Sequence, residues 1–127
     1  MYARALRDRY VGNVIDTVSP GRLVVMLYDR LVQDLMVAEA ALAARDLKSA
    51  SDALLHAQEI VLELRSGLDV NAWSGGPGLA QLYVFIYDQL LAANVQKDAE
   101  RVAQCRGLVE PMRDAWAEAA RVLGHGD

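Results

Sequence analysis

Few residues of this 127-residue chain are of a type that does chemistry. His56 stands three residues before Glu59, so a helix would put both on one face, as a metal-ligand pair requires. A di-metal helical bundle needs matching Glu and Glu-x-x-His sets on its other helices, and the sequence has none. His56 therefore reads as a surface or boundary histidine, and no metal site is expected. Ser74-Gly75-Gly76-Pro77-Gly78 has the glycines of a phosphate loop, but lacks the Gly-Lys-Ser/Thr ending and a preceding strand. It reads as a loop. Cys105 falls on an apolar helical line and reads as a small buried residue rather than a nucleophile. Asp52, Glu59 and Glu63 read as a solvated face. No catalytic residue, cofactor site or enzymatic activity is expected.

The elements that would position these residues are helical. Apolar residues make up 54% of the chain but aromatics only 6%, so the core must come from Leu, Ala and Val. Ser19 is an N-cap candidate, and Pro20 suits the first helical position. The first helix is expected from about 20 to 45, with Val24, Leu27, Leu31, Leu35, Ala38 and Leu42 at steps of three and four. Asp46 caps a second helix with a seam of Leu47, Ala50, Leu54, Ala57, Val61, Leu64 and Leu68. Residues 69–78 read as a loop. The third helix is expected from Pro77 to about Asn94, with Leu79, Leu82, Tyr83, Ile86, Leu90 and Ala93 on its core line and Asn94 as its C′ residue. Asp98 caps the fourth, whose line is Val102, Cys105, Val109, Met112, Trp116, Ala119 and Leu123. Pro111 is expected to kink that helix without breaking it. The expected fold class is all-α: an antiparallel four-helix bundle forming one domain, with 19–123 the bundle and 1–18 an N-terminal arm or short helix.

The formal charge of −4 argues against nucleic acid or an anionic membrane surface as main partner. One cysteine fits a reducing compartment. No leader pattern and no apolar run near membrane-spanning length appears, so a cytoplasmic protein without membrane insertion is expected.

Apolar residues exceed what four core lines need. Val25, Val32 and Met36 on the first helix, Leu55 and Leu62 on the second, and Phe85 and Tyr87 on the third lie off those lines. They thicken a small core or form grooves that accept another chain's amphipathic segments. Tyr2, Leu6, Tyr10 and Val14 recur at steps of four, either in a frayed terminus or in an apolar arm that docks in a groove.

An ordered set of short motifs completes the reading. It comprises Met1-Tyr2, Ser19-Pro20, Leu23, Met26-Leu27-Tyr28-Asp29, Ala57-Gln58-Glu59-Ile60-Val61, Glu63-Leu64 and Gly67-Leu68-Asp69. Leu82-Tyr83, Leu90-Leu91, Ala93-Asn94, Asp98 and Met112-Arg113-Asp114-Ala115-Trp116 follow. In this set the chain resembles the flagellar export chaperones of the FliS family over almost its whole length. It departs from the family pattern at Gly78, at Phe85 in place of a tyrosine, and at Asp88-Gln89 in place of a basic pair. The resemblance implies a helical bundle that binds the disordered C-terminal segment of flagellin, prevents premature polymerisation and contacts an export-gate component when loaded. It implies a binding surface drawn from Val25, Tyr28, Val32, Met36, Leu55, Leu62, Tyr83, Phe85 and Tyr87, and an arm of Tyr2, Leu6, Tyr10 and Val14 that covers a groove. The alternative is a structural or regulatory bundle that homodimerises through the same faces.

Overall fold

A computed structural model describes residues 20–124 of the chain. It contains four helices: α1 (Pro20–Ala43), α2 (Leu47–Gly67), α3 (Gly76–Gln96) and α4 (Ala99–Gly124). The expected arm over 1–18, with Tyr2, Leu6, Tyr10 and Val14, and the N-cap candidate Ser19 lie outside the described residues. The helices run antiparallel in a ring. Each packs on its sequence neighbours, and α1 closes the ring against α4 in the most extensive pairing, with α3–α4 the least extensive.

Two of the three joins use one device. After α1, Arg45 takes a left-handed backbone (φ 61°) and the Asp46 amide donates to the Ala41 carbonyl at 2.8 Å. After α3, Lys97 does the same (φ 55°), and the Asp98 amide donates to the Ala93 carbonyl at 3.0 Å. Each satisfies carbonyls that the outgoing helix cannot pair by itself. The aspartate then starts the next helix. Asp46 accepts from the Ser49 amide and Asp98 from the Arg101 amide, both at 3.2 Å. Asn94 is accordingly not a C′ residue: α3 runs two residues past it, and the left-handed position falls on Lys97.

The third join, 68–75, is longer and contains the glycine-rich stretch. Asp69 accepts from the Asn71 amide in a local turn, and the Trp73 carbonyl accepts from the Gly76 amide. A Cβ on Gly76 would sit 2.3 Å from the Val70 carbonyl oxygen, a backbone atom that cannot swing aside. This glycine exists for a close backbone approach, which is the physical content of the Gly-Gly pair that resembled a phosphate loop.

The core follows the expected lines with local slips. Val24, Leu31, Leu35, Ala38 and Leu42 of α1 meet Ala50, Leu54, Ala57, Val61 and Leu64 of α2, while Leu27 is only half-buried and Leu47 is exposed. On α3 the line is Ala80, Tyr83, Ile86, Leu90 and Ala93, with Leu79 and Leu82 packed at its margin. On α4, Val102, Cys105 and Val109 are buried, Met112 and Trp116 pack against them, and Ala119 is exposed. Its neighbour Ala120 faces α1 instead: a Cβ on Gly21 would lie 3.0 Å from that of Ala120. Helix α4 continues through Pro111 as expected.

Candidate functional site

The chemistry-bearing residues take structural roles. His56 is half-buried, with its Nδ1–H donating to Asp34 of α1, while Arg30 donates to its Nε2 at 3.4 Å. It ties α2 to α1 at a boundary. Cys105 is buried, and burial pushes its thiol up to about 11. Among the described residues no group of three or more His, Cys, Asp or Glu could hold a metal ion.

The residues expected on a binding surface divide. Tyr28, Val32 and Tyr83 are buried, at 0%, 4% and 1% exposure, and belong to the core. Tyr28 and Tyr83 join hydroxyls at 2.6 Å across the bundle, linking α1 to α3 diagonally. Their aromatic bodies fill the centre, and the two polar tips hydrogen-bond to each other.

The remaining expected residues lie on three flanks. Glu39 and Asp29 of α1 meet Arg106 and Arg113 of α4, so the α1 residues on that side, half-buried Val25 and exposed Met36, border the α1/α4 seam. Arg106 is clamped by Glu39 and Glu110, whose hydrogen bonds raise its pKa further. Gln89 accepts from Arg101 of α4 at 2.8 Å, which puts Phe85, one turn earlier on α3, on the α4 side. Tyr87 lies on the opposite side of α3. With Leu62, Arg65, Tyr83 and Val84 it lines a cleft of about 90 Å³ between α2 and α3.

That cleft belongs to a longer apolar stripe. Asn94 of α3 donates to Ser51 of α2, which fixes the antiparallel register and brings Leu55 opposite Leu91, as Leu62 is opposite Val84. The four are 46–51% exposed. They are two pairs, each separated by seven residues along its helix, so each pair repeats on one face two turns apart. Val84, Leu91 and Val95 were not among the residues expected on a binding surface. The seven-residue spacing was visible in sequence, but which flank of α3 meets α2 was not. A second set of depressions follows α1: Leu27 and Arg30 are shared by one of about 370 Å³ beside Met26 and one of about 280 Å³ toward α2. No helix of the described residues is long and apolar enough to cross a membrane.

The α2/α3 stripe can bind a partner by apolar burial, at roughly 25 cal/mol per Å² removed from water. The family profile described as flagellar protein FliS matches residues 2–122. The flagellar secretion chaperone FliS of Bacillus subtilis (strain 168) is 31% identical over 110 residues, which cover 87% of this chain and 82% of the relative. That of Salmonella typhimurium is 30% identical over 112 residues, 85% of this chain and 82% of the relative. That of Vibrio cholerae is 27% identical over 116 residues, 89% and 84%.

Proposed function

Since the chain belongs to the FliS family of flagellar proteins, we propose that it is a flagellar secretion chaperone that holds the disordered C-terminal segment of flagellin in the cytoplasm. Bound there, the segment cannot polymerise and stays competent for export, and the loaded complex engages a component of the export gate. The observation that carries this reading is the half-exposed stripe of Leu55, Leu62, Val84 and Leu91 on a bundle whose core is already filled. Apolar side chains left at a seam, when the interior has no room for them, suit reversible burial of an amphipathic segment. Ordering a disordered client uses up part of the gain, which keeps the complex releasable.

Calorimetry with a flagellin C-terminal peptide tests this. The expected result is 1:1 binding with a negative heat-capacity change. Leu62→Asp and Leu91→Asp, at half-exposed positions, should each weaken binding at least about tenfold while leaving the bundle folded. No binding, with self-association abolished by the same substitutions, would replace this reading with the homodimer.

A further inference from the structure

The groove on the other flank of α2 has a polar group without an explanation in the fold. Leu27 and Arg30 of α1 and His56, Glu59, Ile60 and Glu63 of α2 enclose about 280 Å³. The floor is apolar: Ile60 is buried and Leu27 half-buried. Glu63 lines this groove as a partly exposed side chain, and its Oε2, shielded from solvent, has no hydrogen-bond partner among the described residues. A shielded carboxylate oxygen that lacks a donor favours any ligand that brings one. The cations nearest to hand do not supply one. Arg30 across the groove donates to His56, and Arg65, two residues along α2, lines the opposite groove toward α3. Glu59, one turn earlier on α2, adds a second negative charge to the same rim. Burial accordingly raises the pKa of Glu63.

We infer that this groove takes a basic, amphipathic stretch of the client chain, with apolar side chains over Leu27 and Ile60 and one Lys or Arg side chain donating to Glu63. Three observations select that occupant. The acceptor is an anion, so a charge-assisted donor satisfies it best. The rim carries two carboxylates on one helix. A second copy of this chain is a poor candidate, because each copy carries −4 and like charges oppose association. The inference rests on the client-holding function proposed above and adds a selectivity element to it. Apolar stripes accept many amphipathic segments, whereas Glu63 favours one with a cation in register.

The test is a double-mutant cycle by calorimetry, with the full-length protein and a flagellin C-terminal peptide in which each Lys and Arg is replaced by Gln in turn. Glu63→Gln should weaken the parent peptide about tenfold. One peptide substitution should weaken binding to the natural chaperone equally and have no further effect on Glu63→Gln. Glu63→Lys should lose the parent peptide and regain affinity for a peptide carrying Glu at that position. Urea unfolding of both variants establishes that they are folded. An affinity of Glu63→Gln for the parent peptide equal to that of the natural protein, or strictly additive losses at every basic position, overturns the inference while leaving the chaperone reading in place. Absence of binding by the natural protein overturns both.

Discussion

At the scale of single residues, Cys105 shows how burial removes reactivity. Its thiol lies among apolar side chains between Val102 and Val109, and desolvation pushes its pKa from an ordinary 9.0 to about 11, only partly offset by Arg101. The thiolate is the nucleophile, and a rise of that size leaves about a hundredfold less of it at pH 8, before access is considered. Iodoacetamide labelling at pH 8, followed by mass spectrometry, should therefore be at least about a hundredfold slower in the folded protein than in urea. Rates within a few-fold of each other would place the thiol at the surface. The sign of the linkage follows. The folded pKa lies above the unfolded one, so the contribution to stability is complete below the unfolded value and is lost as pH rises toward about 11. Cys105 was legible in sequence because its position on a helical line decides its burial. Tyr28 and Tyr83 were not, because a large residue with a polar tip suits a boundary as well as a core. Their pairing across the bundle, 55 positions apart, gives each buried hydroxyl a partner.

At the scale of elements, helix starts were more legible than helix ends. Asp46 and Asp98 announce their helices because a short carboxylate side chain accepts from an amide three residues on. The ends fall on Arg45 and Lys97, residue types with no left-handed preference, held there by the Asp46 and Asp98 amides that reach back to the outgoing helices. For non-glycine residues such a backbone costs roughly 1–2 kcal/mol, of which glycine recovers part, since it loses more freedom on folding. Arg45→Gly and Lys97→Gly should each raise stability by roughly 0.5–1 kcal/mol, read as a higher midpoint in urea at unchanged slope. Lower stability in both variants would mean that the side chains, including the Lys97 Nζ bond to Asn94, outweigh the backbone. The binding flanks were the least legible feature. Periodicity tells which residues leave the core line, whereas the neighbour on each side of a helix is fixed by contacts such as Gln89–Arg101 and Ser51–Asn94.

At the scale of the whole molecule, affinity for a client depends on what else competes for the grooves. The N-terminal residues Tyr2, Leu6, Tyr10 and Val14 carry the spacing of an apolar arm. If such an arm occupies a client groove in ~90% of molecules, deleting residues 1–16 tightens peptide binding about tenfold. Unchanged or weaker affinity in the folded, truncated protein rules out a competing arm. The ring of helices has a further consequence, for synthesis. Helix α1 packs most extensively on α4, the last helix to be made. When α1 to α3 have left the ribosome, Gly21 still lacks the wall that Ala120 of α4 supplies, and Asp29 and Glu39 still lack Arg113 and Arg106. Loop closure between the first and last helices must therefore follow translation of Ala99–Gly124, so nascent chains stalled before that point should be sensitive to protease along α1. A bundle proposed to shield another chain's apolar segment until release thus begins its own existence with one flank of its first helix uncovered until its last helix emerges.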